Sequence, residues 1–273
     1  MKLITLVENT SLTPEFGHKH GLSFYIETGK HKLLFDLGSD ELFLQNAAKL
    51  KVDIEAVDTV IISHGHYDHG GALKLFLQRN RNAKIYIREK AFDSFFSKIF
   101  GIASSVGLDQ MLKDHERFIF TEDDCIIDDE LRLFSNITTK ECYSTSNNTL
   151  YVKTETGFQP DDFRHEQSLI INEDGRYTLV AGCAHSGIIN IQKKAEGLIG
   201  CELNTVISGM HLINPMSFRR SNSALARKIA DRLQVKSTRY YTCHCTGLKA
   251  YQLMKSMLGE QISYLSAGSS IEI

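Results

Sequence analysis

The sequence predicts an α/β fold, built as one domain with two halves. Apolar runs of strand length alternate with segments whose apolar residues recur at helical spacing, which is typical of layered α/β proteins. The 273 residues are 42% hydrophobic and 23% charged, as expected for a globular protein with a sizeable core. Only three prolines occur, and no Pro/Gly/Ser-rich linker or repeat divides the chain. We therefore expect a single domain over residues 1–273.

The first ninety residues predict strands followed by an alternation of helices and strands. Short apolar runs bounded by turn residues predict the strands, and apolar residues three to four positions apart predict the helices. The predicted elements are strands at 2–7, 22–27 and 32–35, a helix at 39–50, a strand at 57–62, a helix at 72–78 and a strand at 83–87. The strand at 57–62 leads directly into His64.

Residues 91–162 are less regular, and we interpret them as an insertion. Phenylalanines at 92, 95, 96 and 100 have nearly helical spacing and predict an aromatic helix. A Gly/Ser segment at 101–107 and an acidic segment at 122–130 follow. This insertion could cover a cleft and supply an apolar wall for a flat ring, or it could serve in packing or dimer contact.

The last hundred residues predict a second layer. Two strands flank the segment EDGR at 173–176, which is a hairpin signal. The predicted elements are strands at 168–172 and 177–181, a helix at 188–198, a strand at 205–208, a helix at 223–233, a strand at 239–243 and a helix at 251–258. The chain is thus expected to repeat the strand and helix layering of its first half.

The strongest chemical signal is the segment HGHYDH at 64–69, where a predicted buried strand gives way to a helix. Three imidazoles and a carboxylate within six residues are the ligand types of zinc, iron and manganese. We predict that His64 and His66 hold one ion and that Asp68 and His69 hold another. The two ions would lie about 3.5 to 4 Å apart, as in two-metal hydrolytic sites.

This HxHxDH loop resembles the hallmark of the metallo-β-lactamase superfamily. The segment FDLG at 35–38 is similar to the family's earlier Asp-x-Gly element, and the likeness spans nearly the whole chain. The resemblance implies an αββα sandwich of two mixed β-sheets flanked by helices, with the metals at the sheet edge. This fold hosts hydrolases, transferases and oxidoreductases, so the fold alone does not select the reaction.

Within the superfamily, the sequence is most similar to the dihydropterin-methyl ribofuranosylaminobenzene-phosphate synthase subgroup. Four segments carry this resemblance: HGLS at 20–23, GCAHSG at 182–187, GMHL at 209–212 and CHCTG at 243–247. The subgroup implies a transferase reaction, in which an aromatic amine of a ribosylated phosphate displaces pyrophosphate from a dihydropterin-methyl pyrophosphate.

The resemblance also implies the remaining metal ligands. His244, at the end of a predicted strand, resembles the family's last ligand. Many members place a His before a hairpin and an Asp after its second strand, and here those places hold His165 and Cys183. We assign the ligand role to His185 instead of His165, because His185 follows a strand and Gly182, whereas His165 lies in a strongly polar stretch. Whether Cys183 takes the place of the bridging carboxylate as a ligand stays open.

Several further residues are candidates for the cleft. His211 follows the predicted strand 205–208 and is a candidate substrate contact or general acid. We predict that Asp68 and His211 are the catalytic residues. His20 and Glu166 are candidate substrate contacts, and Asn9 is a weaker one. A structural hydrogen-bonding role is the alternative for His20, Glu166 and Asn9.

Two other features receive a structural interpretation. Cys243 and Cys245 bracket His244, and in an extended strand their thiols would face away from the side that His244 faces, so we expect them to be packing residues. The stretch 219–239 contains seven basic residues and a single Asp, and it could attract a phosphorylated substrate or be a solvated helix face. Those basic residues are Arg219, Arg220, Arg227, Lys228, Arg232, Lys236 and Arg239.

We therefore expect a metal-dependent hydrolase or transferase that acts on a phosphate- or pyrophosphate-bearing small molecule. Two divalent transition-metal ions are expected, with zinc favoured and manganese or iron as alternatives. The competing hypotheses are a general metallo-hydrolase of phosphoesters, an iron-dependent oxidoreductase and a non-enzymatic, metal-stabilised ligand-binding protein.

Composition bears on the remaining partners. The net charge of −2 argues against nucleic acid, and no stretch approaches the roughly 18 apolar residues of a membrane helix. Six cysteines in a chain of this length match no disulfide framework, so reduced thiols are expected. The apolar run near the N-terminus is too short for a secretory signal, so a cytoplasmic location is expected. A homodimer is left open.

Overall fold

A computed structural model describes residues 1–213 and 222–273. The strands are β1 (Lys2–Val7), β2 (Ser23–Glu27), β3 (Lys32–Phe35), β4 (Thr59–Ile61), β5 (Lys84–Ile87), β6 (Ser94–Ile99), β7 (Ile102–Ser105), β8 (Phe118–Phe120), β9 (Asp124–Ile126), β10 (Leu131–Ser135), β11 (Leu150–Thr154), β12 (Gly157–Pro160), β13 (Gln167–Glu173), β14 (Arg176–Ala181), β15 (Thr205–Ser208), β16 (Arg239–Thr242), β17 (Ile262–Tyr264) and β18 (Ser270–Glu272). The helices are α1 (Leu42–Lys49), α2 (Tyr67–Gly70), α3 (Leu73–Arg79), α4 (Ile188–Ile199), α5 (Ser223–Leu233) and α6 (Leu248–Leu258).

Two seven-stranded mixed sheets form the centre of the fold. The first has the order β18-β1-β2-β3-β4-β5-β8, and the second has the order β17-β16-β15-β14-β13-β10-β9. In each sheet an antiparallel part continues into a parallel part, which is β3-β4-β5-β8 in the first and β14-β15-β16-β17 in the second. The two sheets therefore share the same plan, although the C-terminal strand β18 joins the first sheet beside β1.

Three apolar layers hold the fold together. Residues such as Phe24 and Phe35 of the first sheet pack against Leu133 and Val180 of the second, and this layer fills the space between the sheets. Helices α1 and α3 cover the outer face of the first sheet, and α4, α5 and α6 cover the outer face of the second. The order of layers is helix, sheet, sheet, helix, so the αββα sandwich is confirmed. Among the described residues, no helix is both long and apolar enough to cross a membrane.

A smaller sheet of four strands, in the order β12-β11-β6-β7, lies beside the sandwich. It is built from residues 94–160, and the same stretch of chain also supplies β8, β9 and β10 to the two large sheets. The predicted aromatic helix at 92–100 is wrong, because β6 pairs on both sides with β7 and β11. Strand geometry sends neighbouring side chains to opposite faces, so Phe95 contacts His165 while Phe96 contacts Phe158.

Candidate metal centre

The segment HGHYDH forms a sharp loop between β4 and the short helix α2. A side chain at Gly65 would collide with the Ala91 carbonyl oxygen and with the Phe95 ring, so only glycine fits at this point of the loop. The loop buries His64, His66 and His69, whose exposed fractions are 0%, 5% and 0%. All three imidazoles are thus withdrawn from water and directed into the protein.

Asp36 fixes the orientation of this loop from the neighbouring strand β3. Its Oδ1 accepts the Ser63 backbone N–H at 2.7 Å, and its Oδ2 accepts the Ser63 hydroxyl at 2.7 Å and lies 2.6 Å from His69 Nδ1. Since the Ser63 hydroxyl donates to Asp36, it accepts from His64 Nδ1 at 2.8 Å. Both His64 and His69 therefore carry a proton on Nδ1, so Nε2 is the nitrogen of each ring that can bind a metal ion. Burial lowers the pKa of His69, but Asp68 and Asp36 outweigh it and raise this pKa to about 9, so metal binding would displace a proton from His69 Nε2.

The same arrangement recurs in the second half of the chain. His185 Nδ1 lies 3.0 Å from Asn147 Oδ1, whose amide nitrogen donates to the His185 carbonyl at 2.9 Å. His244 Nδ1 lies 2.8 Å from Asn9 Oδ1, whose amide donates to the His244 carbonyl at 3.3 Å. The side-chain oxygens of Asn9 and Asn147 thus accept hydrogen bonds from Nδ1–H and leave Nε2 of each ring as a lone-pair donor. A partner on one ring nitrogen that frees the other is characteristic of metal-binding histidines.

Two groups of donors face each other across Cys183. The first contains His64, Cys183 and His185, and the second contains His69, Cys183 and His244; within each group the donor atoms lie within 4.8 Å of one another. His64 Nε2 and His185 Nε2 are only 3.3 Å apart. Two lone pairs at that distance repel each other unless a cation lies between them, so the donor set fits a metal ion.

Asp68 supplies a carboxylate to the second group. Its Oδ2 lies 3.2 Å from His244 Nε2, 3.6 Å from His69 Nε2 and 3.1 Å from His20 Nε2. Burial opposes ionisation of Asp68, but the surrounding imidazoles, led by His69, hold its pKa well below 3.8. Burial also holds the pKa of His64 and of His185 well below 6.5, so both rings are neutral, as metal binding requires.

His66 and His165 differ from the other rings in their partners. His66 Nε2 lies 3.9 Å from Asp161 Oδ2 and has no hydrogen-bond partner among the described residues. The ring of His66 lies 4.6 Å from that of His64 and 4.9 Å from that of His185, measured between centroids. His165 Nδ1 accepts the Gly65 N–H at 2.9 Å, and its Nε2 lies 3.0 Å from the same Asp161 oxygen. Both nitrogens of His165 are therefore engaged in supporting the loop, whereas His185 directs Nε2 at His64.

The remaining predicted cleft residues fall in two places. His20 lies at the mouth, with 65% of its side chain exposed, and His211 packs its ring on that of His185 at 4.2 Å between centroids. Glu166 lies behind the cleft instead of at its mouth, because its two oxygens accept the backbone N–H groups of His185 and Ser186 at 2.7 and 2.9 Å. Glu166 thus has the structural hydrogen-bonding arrangement that the sequence left as its alternative.

The packing interpretation of Cys245 is wrong. β16 ends at Thr242, and residues 244–246 form a 3-10 turn, so the strand alternation stops before Cys245. Cys245 consequently lines the cleft beside Cys183, whereas Cys243 is buried between the sheets as expected.

The cleft above the donors has a neutral opposite wall. Apart from the donor groups and from His20, His211 and Cys245, its described lining residues are Ser97, Val106, Ser146, Thr149, Leu150 and Ile213. The basic stretch contributes none of the described lining; Arg232 pairs with Glu141 and Lys236 with Glu196 on the surface. Arg219 and Arg220 lie outside the described residues.

Four residues of the site were not identified from the sequence: Glu8, Asn147, Asp161 and Cys245. Glu8 is fully buried, and it accepts the His244 N–H at 2.6 Å and the Tyr264 hydroxyl at 2.7 Å. A sequence signal existed for Glu8, since it is an acidic residue that directly follows a buried strand. The other three lie in turns, where side-chain directions follow no periodic pattern that could be recognised in the sequence.

The fold and this donor arrangement define a metal-binding α/β sandwich. Residues 17–188, more than half of the chain, match the family model of the metallo-beta-lactamase superfamily. The chain therefore belongs to the metallo-β-lactamase superfamily, most of whose members are metal-dependent enzymes.

Individual relatives agree with this membership. The 7,8-dihydropterin-6-methyl-4-(beta-D-ribofuranosyl)-aminobenzene-5'-phosphate synthase of Methanocaldococcus jannaschii is 28% identical over 100% of this chain and 96% of its own length. An uncharacterized protein of the same organism, MJ0448, is 28% identical over 90% of each chain. The crystal structure of Tm1679, described as a metal-dependent hydrolase of the beta-lactamase superfamily, has a TM-score of 0.83 and 26% identity over 100% of this chain and 99% of its own.

Proposed function

We propose that this protein is a two-metal enzyme that acts on a phosphate- or pyrophosphate-bearing small molecule, with zinc as the favoured ion. The observation that carries this proposal is the convergence on Cys183 of four imidazoles whose Nδ1 atoms are held by protein partners, those of His64, His69, His185 and His244. His66 and Asp68 complete the two donor groups. Divalent ions bound there would polarise a phosphate oxygen and activate the attacking group.

Side chains of the protein would transfer protons at the cleft. The exposed ring of His20 lies 3.1 Å from Asp68 Oδ2, so protons can pass from solvent to Asp68 through His20. His211 has no hydrogen bond on either ring nitrogen among the described residues, which leaves it available to a leaving group as a general acid. We assign the proton relay to Asp68 and the general acid role to His211.

The substrate class rests on two supports. The dihydropterin-related synthase of M. jannaschii aligns over the full chain, which favours displacement of pyrophosphate by an aromatic amine. Apolar side chains of Val106, Leu150 and Ile213 beside the hydroxyls of Ser97 and Ser146 suit a flat ring with polar edges.

All six cysteines are free, in keeping with a reducing, cytoplasmic location.

The test is a metal analysis followed by a substrate screen. The protein is loaded with zinc, manganese or iron, desalted and assayed on aryl phosphoesters and on a dihydropterin-methyl pyrophosphate, with and without an aromatic amine. We expect metal-dependent release of phosphate or pyrophosphate that stops on chelation. Turnover of a β-lactam with none on phosphoesters or pyrophosphates would refute the proposal, and an iron-dependent redox signal would favour an oxidoreductase.

A further inference from the structure

A third group of donors lies beside the two groups described above. The donor atoms of Cys183, His211 and Cys245 lie within 4.8 Å of one another. In a tetrahedral zinc site with bonds of roughly 2.0 to 2.3 Å, donor atoms are about 3.3 to 3.8 Å apart, so small side-chain rotations would close this group on an ion. We propose that Cys183, His211 and Cys245 form a third metal-binding position that takes a thiophilic divalent ion, zinc or cadmium.

The two loops that present these donors are joined by several hydrogen bonds. The Cys245 carbonyl accepts the N–H groups of Leu212 and Ile213 at 2.8 and 3.0 Å, and the Met210 N–H donates to the Thr246 hydroxyl at 2.9 Å. The His211 N–H donates to Cys245 Sγ at 3.2 Å. The loop after β15 and the turn after β16 therefore form one unit, which holds His211 and Cys245 at a fixed separation.

Space for the Cys245 thiol depends on Gly209. A side chain at this residue would meet Cys245 Sγ at 2.5 Å and the Gly182 carbonyl oxygen at 3.0 Å. The thiol can therefore reach the cleft only because residue 209 has no Cβ. The fold thus leaves room for the buried sulfur of Cys245 next to that of Cys183.

The backbone at His211 has a conformation that residues other than glycine rarely adopt. Its φ is +46°, in the left-handed region, where a residue with a Cβ is sterically disfavoured. Both of its ring nitrogens are buried, yet neither has a hydrogen-bond partner among the described residues. Buried polar atoms without a partner are costly, and a bound ion would satisfy one of them.

The donor set determines which ions fit. Two thiolates and one imidazole are soft ligands that select zinc or cadmium over magnesium or calcium, and three protein ligands leave a fourth position open. His211 would bind through one nitrogen, and the other would keep an N–H for the substrate. This inference rests on the proposed metal centre, because Cys183 is shared with the first two groups.

The experiment compares the ions retained by wild type and by Cys245→Ser after loading with zinc or with cadmium and desalting. We expect up to three ions in wild type and one fewer in Cys245→Ser. The ultraviolet thiolate-to-cadmium charge-transfer absorption should fall at the same time. Cys201→Ser, which removes an exposed thiol, is the matched control and should behave as wild type.

Two further variants make the result decisive. His211→Asn retains both thiols and should weaken cadmium binding at the third position by about tenfold or more, while the double variant His64→Ala, His66→Ala should retain the charge-transfer signal of Cys245. If wild type and Cys245→Ser hold the same number of ions with equal charge transfer, the third position is refuted and the two-metal proposal stands. If folded wild type, checked by circular dichroism, retains no metal, both proposals fail.

Discussion

The two halves of the candidate metal centre are built in different ways. The first half supplies His64, His66, Asp68 and His69 from one segment of six residues, which Asp36 orients from the adjacent strand. The second half supplies its candidate donors from two separate places, after β14 and after β16, and the proposed third position adds His211 after β15. A compact motif can therefore be recognised in the sequence, whereas the dispersed donors acquire a common direction only when the sheet forms.

The dispersed half depends on partners from other parts of the chain. Glu8 and Asn9, more than 230 residues before His244, hold that residue, and Glu166 and Asn147 hold His185. His244 has a φ of +49°, so its backbone conformation is strained. The hydrogen bonds from its N–H and Nδ1 to Glu8 and Asn9 keep the strained turn in place.

The largest effect is expected from the compact half. The double variant His64→Ala, His66→Ala removes two donors of one group, so at least one ion should be lost. Activity should fall by more than the roughly 10- to 100-fold typical of outer-shell changes. Elemental analysis and the phosphate-release assay measure both quantities, and full metal retention in the double variant would contradict the assignment.

The choice between His185 and His165 tests the dispersed half. His185→Ala should lower metal occupancy and activity together, because it removes a free Nε2 donor. His165→Ala should leave occupancy near that of wild type at saturating metal, since both of its ring nitrogens bond to Gly65 and Asp161. The reverse pattern, with metal lost only from His165→Ala, would make His165 the ligand.

A smaller effect is expected from the carboxylate behind His244. Glu8→Gln keeps the shape but weakens the acceptor for the His244 N–H, which should lower metal affinity about 10- to 100-fold. The free energy of unfolding should fall by about 1 to 3 kcal/mol, since the buried hydrogen bonds from the His244 N–H and the Tyr264 hydroxyl are weakened. Zinc titration and urea denaturation measure these effects.

The exposed ion-paired Glu55 gives the control Glu55→Gln, and equal effects of the two variants would exclude a positioning role for Glu8.

The smallest effect is expected at His31, which joins Asp58, next to β4 of the first sheet, to Asp128, between β9 and β10 of the second sheet. Its Nδ1 lies 3.0 Å from Asp58 and its Nε2 2.6 Å from Asp128. Burial lowers the pKa of His31, but the two carboxylates outweigh it and raise this pKa above 6.5. The stabilisation should therefore be complete below pH 6.5 and be lost as pH rises through the folded pKa. Urea denaturation of His31→Gln against wild type, from pH 5.5 to 9, should show a difference that shrinks with pH; a constant difference would exclude the linkage.

The sequence by itself determined the features that depend on near neighbours. The apolar spacing of 205–208 and 223–233 matches β15 and α5, because a buried strand or an amphipathic helix needs only its own periodicity. HGHYDH needs only six residues to collect imidazoles and a carboxylate. These local patterns, together with the family resemblance, were sufficient for the sandwich and for the first donors.

Tertiary structure alone decided the features that depend on distant contacts. The phenylalanines at 92–100 have helical spacing, but pairing with β7 and β11 made them a strand, because sheet hydrogen bonds override a weak local preference. Cys245 faces the cleft because the chain turns at 244–246, where strand periodicity ends. The proton position on His185 or His244 is set by Asn147 or Asn9, and only folding brings those side chains together.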